Sequence, residues 1–327
     1  MILKYGGCKS SKMPLPGGSP QGTLLALLLF LVLVNDLGFE GQLNNAGDVA
    51  VSKNKIKLAN EIHLKFVDDF TIAESIDLKK TLDHSQLDEP YLQPSKSKVF
   101  EQLVETMSYS TLNQMKINFA KTKLMLFNPC NSINFTPNFQ IHDQHLEVVP
   151  EMRLLGLQIS SNLKWKSNTS AMVSKASKRL WILRRLKTLG AEPNSLVDIY
   201  TKQIRCLLEF GVAAWQGQIT EAEKTDIERV QKIAAWIILG IRYLSYENAL
   251  QTLNLENLEA RRIKLCLKFA LKAGAHPKFK HWFIKQPIIY NTRGKRNRYK
   301  EIHAMHSRYK QSPLGYLTKL LNKHYCK

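Results

Sequence analysis

Cysteine and long apolar runs are both scarce in this 327-residue chain. The five cysteines are widely spaced and form no C-x-x-C pair. This excludes a disulfide scaffold and predicts reduced thiols in an intracellular protein of the nucleus, the cytoplasm or both. The apolar run 24–34 has eleven residues, whereas a membrane-spanning helix needs about 20. We therefore expect a buried helix there and no membrane partner.

Acidic residues are too few to balance the basic ones. The chain has 47 Lys and Arg against 27 Asp and Glu, a formal net charge of +20. Such an excess indicates a polyanionic partner, either nucleic acid or an acidic membrane surface. Arginine is absent from residues 1–150, where 14 Lys face 15 acids, while residues 151–327 hold 33 basic and 12 acidic residues. This asymmetry predicts two parts of the chain with different tasks.

Hydrophobic periodicity predicts an α+β protein in which the strands come before most of the helices. Alternating apolar residues over 57–72 predict a hairpin with its turn at Asp68 and Asp69. Further strands are expected at 121–127 and 154–159. The predicted helices are one over 98–115, one ending near Gly190, one capped by Asn194, one opened by the capping box at 220–223 and closed near Gly240, and one over 255–272.

The adjacent acids Asp68 and Asp69 interrupt the apolar stretch KFVDDFTIA. Carboxylates are rarely buried without a partner or a metal ion. Spacing alone favours a solvated turn, and the alternative is a Mg²⁺ site, since Mg²⁺ binds a few carboxylate oxygens together with substrate phosphates.

A second ambiguous segment precedes the apolar run 24–34. Its Pro and Gly are ordinary turn residues, but a helix that starts directly after them would also offer free amides to a phosphate. The segment consists of Ser19, Pro20, Gln21 and Gly22.

Taken in order, four segments resemble the reverse transcriptases of non-LTR retrotransposons. They are GSPQG with its apolar helix and Asn-Asp-Leu, then FVDD, then KINFAKTKLMLF, then LLG. The resemblance implies RNA-templated DNA synthesis by two-metal nucleotidyl transfer. It implies a partial polymerase palm of antiparallel strands with helices over 1–150, a primer-grip hairpin and all-α thumb and carboxyl-terminal region over 151–275, and a basic, aromatic-rich tail over 276–327.

The same resemblance implies roles for individual residues. Asp68 would bind the catalytic Mg²⁺ ions, with Asp69 in a looser supporting role. Lys123, or alternatively Lys121, would lie near the triphosphate, and Leu155 with Gly156 would hold the primer end. The incoming nucleotide and the template would lie against Ser19, Pro20, Gln21 and Gly22.

One departure from the family pattern concerns catalysis. These polymerases carry a further essential Asp upstream of the Ser-Pro-Gln-Gly segment, whereas residues 1–35 contain no acid, and the fingers have no counterpart here. We therefore expect weak Mg²⁺ binding and no polymerase activity from this chain alone. A partner chain could supply the missing palm and fingers. The alternative is a non-catalytic module that binds RNA or DNA.

Basic residues of the second half are candidates for nucleic-acid contact, although charged runs on helices are more often merely solvated. Aromatic residues interleaved with the basic residues of the tail suit stacking on single-stranded bases, and 293–298 also reads as a nuclear localisation patch. The candidates are Arg184, Arg185, Arg261, Arg262, Lys264, Arg293, Lys295, Arg296 and Arg298.

Overall fold

The structure is a computed structural model that describes residues 4–5, 8–9, 51–52, 55–56, 61–66, 69–75, 82–83, 91–92, 97–127, 140–141, 144–286, 299–302 and 307–325. The chain forms two compact units, one of Met1–Phe119 with Phe135–His145, the other of Ala120–Asn134 with Leu146–Lys327. The described residues are mostly helical with short strands, in agreement with the predicted α+β class.

The described strands pair two by two. Most pairs are antiparallel neighbours in sequence, while β9 pairs with β12 in parallel. The strands are β1 (Lys4–Tyr5), β2 (Cys8–Lys9), β3 (Val51–Ser52), β4 (Lys55–Ile56), β5 (Glu61–Phe66), β6 (Asp69–Glu74), β7 (Leu82–Asp83), β8 (Tyr91–Leu92), β9 (Lys123–Leu124), β10 (Gln140–Ile141), β11 (Gln144–His145), β12 (Glu147–Val148), β13 (Glu151–Leu154) and β14 (Leu157–Ser160).

Most of the described helices lie in the second unit. They are α1 (Lys98–Leu112), α2 (Lys166–Thr188), α3 (Pro193–Ile199), α4 (Cys206–Glu209), α5 (Val212–Trp215), α6 (Glu221–Leu239), α7 (Tyr246–Thr252), α8 (Leu258–Ala275), α9 (Ser307–Lys310) and α10 (Pro313–Tyr325). A π-helical turn, Tyr200–Arg205, joins α3 to α4, and 3-10 turns occur at Gly240–Arg242 and Lys280–Trp282.

The β5–β6 hairpin belongs to the first unit and confirms the predicted strand pair. Its register runs from Glu61 opposite Glu74 to Phe66 opposite Asp69. Asp69 is therefore the first residue of β6 rather than a turn residue, while Val67 and Asp68 lie outside the described residues. The carboxylate of Glu74 accepts a hydrogen bond from the first amide of α1, that of Lys98, at 3.0 Å.

The core of the second unit forms where α2 packs on α6 and α8 packs on both α6 and α10. The α2 side chains that enter it recur at spacings of three and four residues, as expected for one face of a helix. Each is 2% exposed or less: Ala176, Leu180 and Leu183. They meet Ile227, Val230 and Ala234 of α6 in one hydrophobic cluster.

A buried polar chain ties the π-helical turn to α6 and α7. The Tyr200 hydroxyl donates to Gln231 Oε1 at 2.6 Å, and Gln231 Nε2 donates to the Tyr246 hydroxyl oxygen at 2.8 Å. The Tyr246 hydroxyl in turn donates to the Glu228 carboxylate. Burial raises the pKa of both tyrosines, so their hydroxyls stay protonated and remain donors.

The sequence predictions fail at several element boundaries. The predicted strand 154–159 is wrong, because the chain reverses at Leu155 and Gly156 between β13 and β14. The strand expected over 121–127 is reduced to β9. Asn194 is not a helix cap, because α3 begins at Pro193, whose ring suits the first helical position. The capping box at Thr220 and the end of α6 near Gly240 are confirmed.

Candidate nucleic-acid interface

Helix α2 carries a concentration of positive charge. Its 23 residues include seven Lys or Arg and no Asp or Glu. Two of the seven are used inside the unit: Arg179 Nη1 donates to the Gln203 carbonyl at 2.6 Å, and Lys187 Nζ donates to the Ile237 carbonyl. The other five are exposed and form no ion pair with a described residue: Lys166, Lys175, Lys178, Arg184 and Arg185.

An exposed tryptophan lies among these charges. Trp181 is 64% exposed, and the helical period places Lys178, Arg184 and Arg185 within one turn of it. A large exposed indole surrounded by cations can stack on a base while its neighbours neutralise phosphates. These five exposed basic residues of α2 together with Trp181 are called the α2 basic face below.

Trp181 was missed by the sequence prediction, although a signal for it was present. The apolar spacing that selects Ala176, Leu180 and Leu183 as the buried stripe leaves Trp181 outside that stripe. Arg184 and Arg185, named from the sequence, are exposed as that role requires.

The basic residues named on α8 behave differently. Arg262 is fully buried, with Nε donating to Gln216 Oε1 at 2.8 Å, so it is not available to contact nucleic acid. Burial lowers its pKa. Arg261 forms an ion pair with Glu209, and Lys264 forms one with Glu256.

The carboxylates of Glu209 and Glu256 compete with a phosphate for Arg261 and Lys264, although an exposed pair such as Lys264 with Glu256 gains little energy in water. The side-chain hydrogen bond from Lys264 lowers the pKa of Glu256. The prediction that Arg262 contacts nucleic acid is therefore wrong, while Arg261 and Lys264 stay predictions. The period of three to four residues in the sequence of α8 could not show which side of that helix was buried.

The basic tail is also only partly available as a surface. Phe283 and Tyr299 are buried, at 4% and 7% exposure, and their rings meet edge to face, so these two aromatics cannot stack on bases. Trp282 and Tyr309 are exposed. The predicted patch of Arg293, Lys295, Arg296 and Arg298 lies outside the described residues.

The hairpin predicted to hold the primer is formed by β13 and β14. Leu155 and Gly156 occupy its two-residue turn with φ of +47° and +89°, the left-handed pair that a tight hairpin turn requires. A Cβ on Gly156 would lie 3.0 Å from the Phe210 ring, so glycine suits both the turn and the packing. Leu155 is 44% exposed.

Lys123 is held by an ion pair with Glu147 across the parallel β9–β12 ladder. This bond fixes its side chain and offsets the charge that a triphosphate would need. Lys121 also has an interaction partner. Ser19, Pro20, Gln21, Gly22 and Asp68 lie outside the described residues, and only the backbone position of Asp69 is described.

No three His, Cys, Asp or Glu side chains in the described ranges come together as a metal site. Among the helices that the structure describes, none is long and apolar enough to cross a membrane.

Comparison with known proteins finds no match to a protein family, to a curated protein or to a solved structure.

Proposed function

We propose that this chain is a nucleic-acid-binding protein of the reverse-transcriptase type, and that the α2 basic face holds a nucleic-acid strand. The observation that carries the proposal is the exposed Trp181 with Lys178, Arg184 and Arg185 within one helical turn, none of them paired with a carboxylate in the described part of the chain. The ordered resemblance of four sequence segments to non-LTR reverse transcriptases supports the choice of class.

The competing interpretation of the α2 basic face is a solvated, purely solubilising surface. Solubility does not require a helix without any acid, because small domains reach it with net charges of about 2–8 of either sign. A solubilising face also gains nothing from an exposed indole, whereas a stacking surface for bases needs one.

The salt dependence of RNA binding tests this proposal. Each basic residue that neutralises a phosphate of a single strand contributes about 0.7 to the slope of log K against log salt. The double variant Arg184→Ala/Arg185→Ala should therefore lower that slope by about 1.4 when binding of a labelled oligouridine is followed by fluorescence anisotropy.

Two further variants separate a defined face from overall charge. Lys319→Ala/Lys323→Ala removes two exposed charges of α10 and should leave the slope almost unchanged. Trp181→Ala should weaken binding by about 1–3 kcal/mol at an unchanged slope, because stacking does not depend on counterion release. Equal slopes for the two double variants would contradict the proposal and indicate binding by net charge alone.

A second candidate function is templated nucleotidyl transfer at Asp68 and Asp69. The resemblance of the FVDD segment to the polymerase metal motif supports it, and of these two acids the structure describes the backbone of Asp69, the first residue of β6. Carboxylate oxygens are the ligands that Mg²⁺ prefers, so this pair suits the ion, which would supply charge stabilisation at the transferred phosphoryl group.

Primer extension on an RNA template with Mg²⁺ tests this second candidate, with Asp68→Asn as the control. From the sequence we expect no extension by the purified chain, because residues 1–35 offer no further acid. Extension that disappears in Asp68→Asn would overturn that expectation and identify a working metal site.

A further inference from the structure

A cleft of about 880 Å³ opens where α2 and α6 begin. On one side it is lined by Lys164, Trp165, Lys166 and Thr169, and on the other by Glu223 and Asp226. The Trp165 indole is held in place because its Nε1 donates to Gln218 Oε1 at 2.8 Å. The cleft therefore has a basic wall, an acidic wall and a fixed aromatic ring.

The two helices that begin at this cleft differ in how their first amides are capped. Helix α6 is closed by its capping box, in which Thr220 accepts from the Glu223 amide while the Glu223 carboxylate accepts from the Thr220 amide. Helix α2 has no side-chain cap and no acid in its first turn. Its first amides thus have no side-chain acceptor from the cap residue, and Lys164 and Lys166 lie beside them, while the Glu151 carboxylate accepts from the Ser167 hydroxyl of the same turn.

Two polar atoms of the cleft wall are buried and have no hydrogen-bond partner in the part of the chain that the structure describes. The first is Oγ1 of Thr169, a residue that is only 2% exposed, and the second is Oε1 of Glu223, whose other oxygen serves the capping box. A buried polar group without a partner is costly, and such groups are rare in folded proteins. Their presence in the lining of one cleft indicates a ligand that supplies the missing hydrogen bonds.

The required ligand combines an anion with hydroxyl donors. An anion suits the uncapped start of α2, the neighbouring Lys164 and Lys166, and the Thr169 hydroxyl. Carboxylate oxygens, by contrast, only accept hydrogen bonds, so the unpartnered Glu223 Oε1 needs a donor such as a ribose hydroxyl, and Asp226 of the same wall can accept from a second one. A nucleotide has both groups at a short separation, together with a base that can stack on the Trp165 ring.

We propose that this cleft binds one ribonucleotide unit, with its phosphate at the start of α2 and its ribose hydroxyls toward Glu223 and Asp226. The inference rests on the proposed function in taking the ligand to be nucleic acid. Lys166 belongs both to the cleft and to the α2 basic face, so a strand along that face leads into the cleft. The 2′-hydroxyl, which DNA lacks, gives the site a preference for RNA.

Calorimetric titration with small probes tests the cleft separately from the rest of the surface. The probes are uridine 5′-monophosphate, its 2′-deoxy analogue, uridine and inorganic phosphate. We expect the ribonucleotide to bind tightest and the deoxy analogue and phosphate to bind about tenfold more weakly, since each lacks hydrogen bonds to charged groups.

Variants assign the binding to named atoms. Thr169→Val keeps the shape and removes the hydroxyl, and it should weaken ribonucleotide binding about tenfold. The matched control Thr225→Val alters an exposed threonine of α6 outside the cleft and should change nothing. Asp226→Asn should reduce the preference for ribose over deoxyribose. The double variant Lys164→Ala/Lys166→Ala changes two exposed lysines and no buried residue, and it tests the end of the cleft that would hold the phosphate.

The outcomes distinguish this inference from the proposed function. Equal affinity for the ribonucleotide and its deoxy analogue, equal affinity for free phosphate, or no binding of any probe would overturn the inference. Oligouridine binding that keeps its salt slope in Thr169→Val would leave the α2 basic face intact in each of these cases. Ribonucleotide binding without oligouridine binding would support the cleft and refute the face.

Discussion

Replacing Gln216 by leucine should destabilise the helical unit more than replacing Arg262, its buried partner. Arg262 is fully buried, its Nε donates to Gln216 Oε1 at 2.8 Å, and its Nη1 and Nη2 have no hydrogen-bond partner among the described residues. Gln216→Leu removes this hydrogen bond and leaves a buried cation with none. Leaving a buried donor without its acceptor costs about 1–3 kcal/mol, and more when the donor is charged, so we expect a loss of about 3 kcal/mol here.

The reciprocal variant Arg262→Met should cost less. Methionine fills much of the space of the arginine stem and removes the buried charge with its two unpartnered nitrogens. It leaves only the neutral amide oxygen of Gln216 unpaired, at a cost of about 1–3 kcal/mol. The double variant Gln216→Leu/Arg262→Met replaces both hydrogen-bond partners by apolar groups of similar size and should lie close to the wild type, because such replacements can be nearly neutral.

Urea unfolding of the four proteins measures these differences, with the buried Trp215 as an internal fluorophore of the same unit. If the unfolding free-energy losses of the two single variants add up to the loss in the double variant, the argument is refuted, because the effects of mutating two residues in contact are not additive. Arg262→Met should also keep the salt slope of oligouridine binding. A slope as low as that of the Arg184→Ala/Arg185→Ala variant would place Arg262 at the nucleic acid and contradict its burial.

Two further predictions concern packing and reactivity. Burial raises the pKa of Cys266 to about 12, so its thiol should resist alkylation near pH 8 until the protein unfolds. The exposed Cys206 should react in the folded protein. Peptide mass mapping of the alkylated chain measures the labelling of both cysteines. Gly217→Ala should cost about 1–3 kcal/mol in urea unfolding, because the new Cβ would lie 2.6 Å from the Tyr316 Cβ, and proteolysis within α10 should become faster. Unchanged stability in this variant would contradict the close approach.

Local signals predicted the helices of the second unit well where both the cap and the apolar spacing were present. The capping box at Thr220 and the glycine at 240 fix the two ends of α6 through bonds within a few residues. Such contacts are determined by neighbouring residues, so a sequence pattern suffices. Asn194 failed as a cap because the competing proline one residue earlier starts the helix.

The predictions from single apolar runs were less accurate. The run LLGLQI was assigned to one strand, but Leu155 and Gly156 adopt left-handed backbone angles and reverse the chain. The sequence of a short apolar run does not show whether it forms one strand or parts of two strands. Only the pairing of Leu154 with Leu157 in the structure shows that the run is divided between β13 and β14.

The sequence by itself determined the charge asymmetry, the α+β class and most helices of the second unit, because these depend on composition and on contacts between near neighbours. Only the tertiary structure decided what each basic residue does. Arg185 and Arg262 both stand in arginine pairs of helical segments, yet one is exposed and the other is buried beside Gln216. The difference arises from residues distant in sequence that cover one helix face and leave another free, and the cleft between α2 and α6 has the same origin.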